Sequence, residues 1–525
     1  MSPFPGCLSM PPANMASPYF ANITSRLEGR IGRIPVSGRY HRHPCKLTDD
    51  YSMSKEVLGV GESGNVMAAT RRDTNSGHRY AVKSYALEGI DNLKLQMLLS
   101  EVEVFLYVDH PNIARLYGVY ESSDNLQFVM DSMTGGQLFE RFRKVGRFPE
   151  DEAADVCRQI LLAVNYIHQH GIVHRDIKLE NFVYEKPDSK QLKLIDFGFS
   201  KMFSSNMKMK KALGTMLYVA PEVLEHSYTC QCDLWSLGVI AFVLLADHFP
   251  FLGDNMQEDI IKGNYDWRPE QWSECSEEAA DFVRSLLRVD PQKRLTAQAA
   301  LDHPWILSRR RQAASVDRGV AEAFVNFGHL SKFRRCCMEL LAWSLSTEDR
   351  AKVHDQFLIM DTDGRGTITL AQLKATMAAS LCMPDDEAER LCATLDKNHD
   401  DEVNYSEFLA AMVSTKMELP CSPVLSVFRK FDRGNSGYIT ANGLRELLGD
   451  TFEGHKAESL FGEADLDRNG RLSFAEFYTF LQGSNRAPAV SKPPFVLRVA
   501  TSLFGVLRFS PFRCCARPAQ RSSET

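Results

Sequence analysis

A helix–acidic loop–helix unit occurs four times between residues 346 and 483, and this repeat constrains the fold more than any other sequence feature. In the best-matched loops, oxygen-bearing side chains stand at alternating positions. Ca²⁺ takes oxygen ligands from such a loop at positions one, three and five, a carbonyl at seven and a bidentate glutamate at twelve. The repeat predicts an all-α calcium-binding region over residues 346–483, here called the calcium module, built from two pairs, 346–415 and 416–483.

The four loops match this chemistry unequally. Loop 4, residues 465–476, provides a suitable residue at every position, and loop 2, residues 396–407, lacks only the glycine at position six. Asp401 stands there, and aspartate tolerates the left-handed backbone better than most residues. We therefore expect both loops to bind Ca²⁺. The predicted ligands are Asp396, Asn398, Asp400, the Glu402 carbonyl and Glu407 in loop 2, and Asp465, Asp467, Asn469, the Arg471 carbonyl and Glu476 in loop 4.

Loops 1 and 3 are poorer matches. In loop 1, residues 361–372, Arg365 occupies a ligand position and Gln372 replaces the final glutamate. Loop 3, residues 432–443, has glycine at positions three and twelve. We expect loop 1 to bind weakly or not at all and loop 3 to bind no ion, with both serving as packing partners. The predicted bridges between eighth loop residues join Ile368 to Val403 and Ile439 to Leu472.

The first half of the chain carries short motifs in a fixed order. Residues 58–66 read LGVGESGNV, and such glycines let the backbone approach phosphate groups closely. This signal alone is weak, because a dinucleotide-binding turn has the same spacing. Lys83 follows, and Glu101 is placed to keep that lysine charged and aimed at phosphates. The candidate nucleotide-binding loop residues are Leu58, Gly59, Val60, Gly61, Glu62, Ser63, Gly64, Asn65 and Val66.

Three more motifs complete the series. They are HRDIKLEN at residues 174–181, DFG at residues 196–198 and APE at residues 220–222. One tripeptide alone is uninformative, but the ordered set resembles the eukaryotic protein kinase family. The resemblance implies a bilobal kinase domain over residues 51–307, a strand-rich lobe followed by a helix-rich one. With the calcium module, the expected fold class is multidomain α+β.

The kinase resemblance implies a role for each motif residue. Asp176 orients the substrate hydroxyl and accepts its proton, while Lys178 neutralises charge on the transferred phosphoryl group. Asn181 and Asp196 hold Mg²⁺. A lysine two residues after the catalytic aspartate resembles serine/threonine kinases rather than tyrosine kinases.

Other positions are implied in the same way. Lys83 grips the α- and β-phosphates, and the hinge backbone at Asp131 and Met133 contacts adenine. Gln137 stands where relatives usually place glutamate for the ribose and a substrate arginine. A side-chain amide cannot make the charge-assisted hydrogen bond of a glutamate, so a preference for substrates with a basic residue upstream of the target site is in doubt. Catalytic activity is not in doubt. Glu180 remains as an acidic contact for such a residue. The implied structural residues are Asp233, Glu222 and Arg294.

Residues 308–345 form a basic bridge, here called the junction. Apolar residues recur at three- and four-residue intervals from Phe324 to Leu341, which predicts an amphipathic helix. A kinase domain, this junction and four EF-hands, in this order, resemble the calcium-dependent protein kinases of plants and apicomplexan-type protists. The resemblance implies a calcium-activated serine/threonine kinase using ATP and Mg²⁺, held inactive by its junction until Ca²⁺ binds.

The two ends of the chain differ from the rest. Residues 1–50 are rich in Pro, Ser, Gly and Arg without sustained periodicity, which predicts a disordered basic arm. The tail, residues 484–525, is basic and apolar and contains Cys514 and Cys515. We interpret it as a membrane-surface anchor with acylated cysteines, as a helix packing back on the protein, or as disorder. Ser2 at the second position excludes N-terminal myristoylation.

Composition narrows the function classes. A net charge of −6 does not favour nucleic-acid binding. The 13 cysteines lack a C-x-x-C pair, which favours a reducing, cytoplasmic location over disulfides or zinc. We find no secretory signal and no apolar run long enough to span a membrane. The expected partners are protein substrates and an intramolecular junction–EF-hand contact.

Two alternatives remain open. A catalytically dead scaffold would require the loss of Lys83, Asp176 or Asp196, and all three are present. A constitutive kinase with purely structural EF-hands is opposed by the intact loop 4. A phosphotransfer assay with and without a chelator separates both from the calcium-activated enzyme.

Overall fold

The N-terminal lobe of the kinase domain is a six-stranded sheet with one long helix packed on it. A computed structural model describes residues 18–42, 45–61, 64–72, 78–202, 215–308, 316–395, 401–413, 421–432, 434–452 and 454–483. The strand order is β1-β5-β6-β4-β3-β2. The elements are α1 (Pro18–Ile31), α2 (Arg33–Ser37), β1 (Tyr40–His41), α3 (Leu47–Asp50), β2 (Tyr51–Gly61), β3 (Gly64–Arg71), β4 (Arg79–Ala86), α4 (Asn92–Tyr107), β5 (Leu116–Glu121) and β6 (Asn125–Asp131).

The C-terminal lobe is mostly helical and has a fully buried helix, α8, at its centre. Apolar residues surround α8 on every side, which is typical of a core helix rather than a surface one. The elements are α5 (Leu138–Val145), α6 (Glu150–Gln169), β7 (Ile172–Val173), β8 (Phe182–Tyr184), β9 (Leu192–Leu194), β10 (Lys201–Met202), α7 (Pro221–Leu224), α8 (Gln231–Ala246), α9 (Met256–Lys262), α10 (Pro269–Trp272), α11 (Glu277–Leu286), α12 (Ala297–Leu301) and α13 (Pro304–Leu307).

The calcium module and the junction share a second hydrophobic core. The junction forms two helices instead of the single helix predicted, because the chain turns at residues 329–331 before a new helix begins. The elements are α14 (Arg318–Gly328), α15 (Lys332–Ser344), α16 (Thr347–Met360), β11 (Ile368–Thr369), α17 (Leu370–Leu381), α18 (Asp385–Leu395), β12 (Glu402–Val403), α19 (Tyr405–Val413), α20 (Cys421–Phe431), β13 (Tyr438–Ile439), α21 (Ala441–Leu448), β14 (Thr451–Phe452), β15 (His455–Lys456), α22 (Ala457–Ala464), β16 (Leu472–Ser473) and α23 (Phe474–Gln482).

The prediction of a disordered arm over residues 1–50 is wrong for residues 18–42 and 45–50. These residues form α1, α2, β1 and α3. Phe20, Ile23 and Leu27 occupy one face of α1 and are buried in the core of the kinase domain. Their three- and four-residue spacing is a helical signal that the Ser, Gly and Arg content obscured. Residues 1–17 lie outside the described part of the chain.

The predicted tail, residues 484–525, also lies outside the described residues, and with it Cys514 and Cys515. Within the described part of the chain, no helix combines the length and apolar character needed to cross a bilayer.

Candidate active site and calcium loops

Lys83 on β4 lies at the centre of a charged cluster. Its Nζ is 3.0 Å from Glu101 Oε1 and 3.0 Å from Asp196 Oδ1, so the predicted pair with Glu101 is present. Tyr85 donates its hydroxyl to the Glu101 carboxylate at 2.7 Å. Burial alone would lower the pKa of Lys83, but the two carboxylates raise it well above its usual value. The lysine therefore stays charged where phosphates are expected.

The DFG segment links this cluster to α4. Phe197 is completely buried, and its ring lies 4.9 Å from the ring of Phe105 on α4. His174 approaches the Asp196 carbonyl with Nε2 at 2.5 Å. Asp196 Oδ1 also accepts a hydrogen bond from the Gly198 amide at 3.1 Å. Packing and hydrogen bonds together fix the Asp196 carboxylate beside Lys83.

Asp176, the predicted catalytic base, is held by three neighbours. Lys178 Nζ lies 2.6 Å from Asp176 Oδ2. Thr215 donates to Oδ1 at 3.0 Å and in turn accepts from Lys178 at 3.1 Å. Asn181 Nδ2 donates to Oδ2 at 3.1 Å and to the Asp176 carbonyl at 2.8 Å. Thr215 was not predicted, because nothing in its sequence context distinguishes it before the fold is known.

Asp233 on α8 holds the catalytic loop through hydrogen bonds to its backbone, as the kinase resemblance implies. Its carboxylate accepts the amides of His174 at 2.9 Å and Arg175 at 2.8 Å. Arg175 has φ of 69°, so this turn is in the left-handed region and depends on the two bonds. The implied pair of Glu222 and Arg294 is also present and buried, at 2.6 and 3.0 Å.

The glycine-rich loop is the turn between β2 and β3. The strands pair Gly59 with Val66, Val60 with Asn65 and Gly61 with Gly64. Gly64 has φ of 120°, which only glycine adopts readily. Leu58 lies on β2 in the same hairpin. Glu62 and Ser63, at the tip, lie outside the described residues.

Asp131, the first residue of the hinge, is anchored through both its backbone and its side chain. Its amide donates to the Arg115 carbonyl at 3.0 Å, so a backbone contact from Asp131 to adenine would have to come from its carbonyl. Its buried carboxylate contacts Arg350 of the calcium module at 2.5 Å. Burial would raise the pKa of Asp131, but Arg350 and Lys193 hold it well below the usual range. Met133, the other predicted hinge contact, is half-buried two residues on.

The EF-hand loops pair as predicted. A short antiparallel bridge joins Ile368 to Val403, and a second joins Ile439 to Leu472. Loops 1 and 2 are therefore coupled through one bridge and loops 3 and 4 through the other. Each well-matched loop is fixed to a poorly matched partner.

Loop 4 has the groups that Ca²⁺ requires. Asp465 Oδ2 accepts the Gly470 amide at 3.0 Å, while its Oδ1 is buried without a hydrogen-bond partner. An unpartnered buried carboxylate oxygen at the first ligand position fits a cation. Asp467 and Asn469 lie side by side, with Asn469 Nδ2 2.7 Å from Asp467 Oδ2. In this conformation Glu476, the twelfth residue, accepts from Ser473 instead.

Loop 2 is described only from Asp401 onwards, so Asp396, Asn398 and Asp400 lie outside the described residues. Asp401 has φ of 61°, the left-handed conformation expected at position six. Glu402 lies on β12, and Glu407 accepts the Asn404 amide at 2.8 Å.

Loop 1 satisfies its own acidic groups with protein donors. Gln372 donates to Asp363 Oδ1 at 3.0 Å and to Thr362 at 2.9 Å. Arg365 pairs with Asp363 at 3.0 Å. The loop also rests on the C-terminal lobe, where Asn165 donates to the Gly364 carbonyl at 2.9 Å. These contacts support the prediction that loop 1 has little affinity for Ca²⁺.

Known protein families match the same two regions of the chain that contain the active site and the calcium loops. The protein kinase domain family matches residues 52–306, and the EF-hand domain pair matches residues 350–413 and 424–482. Calcium-dependent protein kinase 7 of Arabidopsis thaliana is 32% identical over 485 residues, covering 90% of both chains. Calcium-dependent protein kinase 3 of Plasmodium berghei (strain Anka) is 34% identical over 450 residues, covering 82% of this chain and 80% of the relative.

The chain belongs to the calcium-dependent protein kinase family. This calcium-dependent protein kinase is a Ca²⁺-activated protein serine/threonine kinase whose cofactors are ATP, Mg²⁺ and Ca²⁺. The predicted family, fold class and enzyme class are thereby confirmed.

The residues of this calcium-dependent protein kinase fit a Mg²⁺–ATP complex. Because Asn181 uses its Nδ2 on Asp176, its Oδ1 is left to accept from or ligate another group. The Asp196 side chain is 40% exposed, so its carboxylate is accessible to a cation. When bound, the nucleotide supplies the γ-phosphoryl group and Mg²⁺ neutralises its charge. Asn181 and Asp196 would hold the metal, and Lys83 the phosphates.

Proposed function

We propose that the junction holds the kinase inactive without Ca²⁺, and that Ca²⁺ at loops 2 and 4 retains the junction inside the calcium module. The position of α14 and α15 carries this proposal. Phe324 and Phe333 are completely buried in the core of the module. The Phe333 ring lies 5.7 Å from Phe431 and 5.4 Å from Phe480. The apolar face of the described junction is thus engaged by EF-hand helices.

The physical basis is a groove that exists only when the EF-hands are open. Ca²⁺ binding opens a sensor EF-hand and exposes an apolar groove, which an amphipathic helix can fill. Each large apolar side chain buried contributes about 1.5–3 kcal/mol. Because junction and module are covalently joined, capture is intramolecular and modest intrinsic affinity is enough.

In the proposed reaction, Asp176 orients the hydroxyl of a protein serine or threonine and accepts its proton. Lys178, 2.6 Å from Asp176, is placed to neutralise charge on the phosphoryl group during transfer. The Lys83–Glu101 pair fixes the phosphate-binding lysine on the opposite side of the cleft. Most of the rate acceleration comes from positioning the reactants and from stabilising charge in the transition state, because phosphoryl transfer does not require covalent catalysis by the protein.

Phosphotransfer by the full chain, measured in saturating Ca²⁺ and in EGTA, tests the regulation. We expect transfer only in Ca²⁺. Phe333→Asp, which places a charge in the core of the module, should reduce activation by Ca²⁺, while Ser331→Ala at the exposed start of α15 should not. Equal transfer in Ca²⁺ and EGTA would refute inhibition by the junction and favour a constitutive kinase.

We also infer a cytoplasmic enzyme that reaches membrane surfaces through its tail. The support is sequence chemistry: residues 495–509 are apolar with only two arginines, and Cys514 and Cys515 follow between further arginines. Basic and acylated segments together anchor a protein stably where one signal is marginal. Fractionation of a chain ending at Gly483, compared with the full chain, tests this. An unchanged membrane fraction would rule the tail out as anchor.

A further inference from the structure

Helix α1 packs against α4, the helix that carries Glu101. Phe20, Ile23 and Leu27 share one hydrophobic core with the buried face of α4. At the edge of this contact, Arg26 Nη2 lies 3.0 Å from Glu103 Oε2. Arg30 lies over the Tyr107 ring, 4.8 Å from its centroid, in the last turn of α4. The chain before the kinase domain therefore packs on α4, with its polar contacts at Glu103 and Tyr107 in the C-terminal half of that helix.

The next helix, α2, contacts both regions, since Val36 is buried in the core of the kinase domain and Ile34 in that of the calcium module. Arg33 Nε donates to the Leu447 carbonyl of α21 at 3.1 Å, and Ser37 donates to the same oxygen at 3.2 Å. Lys430 of α20 donates to the Gly38 carbonyl at 2.5 Å. Within a few residues, the chain passes from α4 to EF-hand helices.

Arg39 joins both regions in one side chain. Its Nη2 donates to the Leu106 carbonyl near the C-terminal end of α4, where a cation is favourable. Its guanidinium carbon lies 3.7 Å from the ring centroid of Trp343 on junction helix α15. Nε donates to the Pro35 carbonyl at 2.6 Å, which fixes the side chain. Arg39 is buried, so these contacts are shielded from solvent.

The segment is also attached to the sheet. Tyr40 and His41 form β1, which runs parallel to β5 opposite Val119 and Tyr120. Val119 donates its amide to the Arg39 carbonyl at 2.8 Å. The segment is thus attached at three places, to α4, to the sheet and to the calcium module.

We propose that residues 18–42, here called the N-terminal strap, position α4, and with it Glu101, according to whether the calcium module and junction are docked. Glu101 acts on the reaction only through Lys83, so the strap is a positioning element. Its attachment to α21, α20 and Trp343 exists only while the module occupies this site on the kinase domain. The inference rests on the proposed calcium regulation. It adds a second structural connection, besides the junction, through which Ca²⁺ binding affects the catalytic cleft.

Two single variants and their combination test the strap in the full chain. Leu27→Ala weakens the α4 side, Ile34→Ala weakens the calcium-module side, and Asn22→Ala on the exposed face of α1 is the control. The activity is measured at saturating Ca²⁺, and kcat is calculated from the concentration of active sites titrated with a nucleotide analogue. We expect each single variant to lower this kcat about 5-fold or more. Because both changes interrupt one connection, the double variant should lose little beyond the worse single.

A merely structural role predicts a different result. Then kcat per binding site stays unchanged, or the losses multiply in the double variant, and either outcome overturns the proposal. Leu27→Met, which keeps the apolar volume, should restore kcat to near wild type.

Reciprocity gives a second measurement that does not depend on turnover. If the strap couples the sites, Mg²⁺ with a non-hydrolysable ATP analogue should tighten Ca²⁺ binding in the wild type and in Asn22→Ala. This gain should shrink in Leu27→Ala and Ile34→Ala. If Ca²⁺ activates all variants equally, the strap is overturned while regulation by the junction stands. If Ca²⁺ activates none, including wild type, the proposed regulation itself fails.

Discussion

Arg350, in the first helix of the calcium module, lies 2.5 Å from the carboxylate of Asp131 in the kinase hinge, and both side chains are buried. Tyr117 donates to the same carboxylate at 2.9 Å, and Lys193 lies 3.6 Å from it. The Coulombic attraction of Asp131 raises the pKa of Arg350 despite its burial, so the guanidinium remains charged. The regulatory and catalytic parts are therefore joined at the hinge by a desolvated ion pair.

Arg350→Met should destabilise the protein by about 3–5 kcal/mol, because removing one partner leaves the Asp131 charge buried and less well compensated. The measurement is the shift of the denaturation midpoint in urea at saturating Ca²⁺. Lys352→Met on the same helix is the control, since its pair with Asp349 is exposed. Equal midpoints for both variants would show that the hinge pair contributes no more than a surface pair.

Lys193, in the same cluster, gives a pH dependence. Burial and the charge of Arg350 lower the pKa of Lys193 to about 8, against partial compensation by Asp131. Between about pH 8 and pH 10 the unfolded chain binds more protons at this lysine, so stability from this group rises with pH. Below about pH 8, Lys193 is protonated in both the folded and the unfolded state, so the free-energy cost of burying its charge is fully present.

The test compares unfolding midpoints at pH 7.5 and pH 9.5. Lys193→Met should show a smaller rise than the wild type, while Lys190→Met, at an exposed position, should follow the wild type. The same rise in all three proteins would contradict the assignment.

The sequence predicted those parts whose chemistry depends on fixed local order. The motifs around Lys83, Asp176 and Asp196 specify residue type and spacing, and the twelve-residue loops specify ligand positions. Their distances follow from the kinase fold once the order is recognised. Asp233 is also in this class because the kinase resemblance implies its role, and in the structure its buried carboxylate is satisfied by the amides of the catalytic loop.

Contacts between distant segments could not be predicted in this way. Arg39, Trp343 and Arg350 belong to no motif, and the contacts of Arg39 with Trp343 and of Arg350 with Asp131 join segments that are far apart in the sequence. The prediction of disorder over residues 1–50 fails at the N-terminal strap because short helices stabilised by tertiary packing carry weak local signals. The spacing of Phe20, Ile23 and Leu27 indicates an amphipathic helix, but it does not indicate that the apolar face of this helix packs against α4.

Loop 4 should dominate the calcium response. Glu476→Gln removes the bidentate carboxylate, so we expect the Ca²⁺ concentration for half-maximal activation to rise about 10-fold or more. Asp363→Asn in loop 1 is the matched control, since its carboxylate is already occupied by Gln372 and Arg365. A calcium titration of phosphotransfer measures both. A larger effect in loop 1 than in loop 4 would reverse our ranking of the loops.

Gln137 should limit the preference for basic substrates. It lies at the start of α5, where its backbone N–H donates to Glu140 Oε2 at 3.2 Å, and its side chain carries no charge. Gln137→Glu should raise kcat/KM for peptides with an upstream arginine by about 10-fold, because a hydrogen bond to a charged group contributes about 1.5–3 kcal/mol in place of about 1. Peptides with alanine at that position are the internal control, and an equal gain for both would show that charge recognition is not involved.

Asp176→Asn separates proton acceptance from nucleotide binding. The amide keeps the size of the side chain, and the Lys83–Glu101 and Lys83–Asp196 contacts do not involve residue 176. Nucleotide affinity should therefore stay within about 2-fold, while kcat falls by about 10²–10⁴-fold, the range for loss of a positioned general base. Titration with a fluorescent ATP analogue and phosphotransfer at saturating Ca²⁺ measure the two effects independently. A parallel loss of affinity would show that Asp176 organises the cleft as a whole, whereas retained kcat would remove it from the reaction.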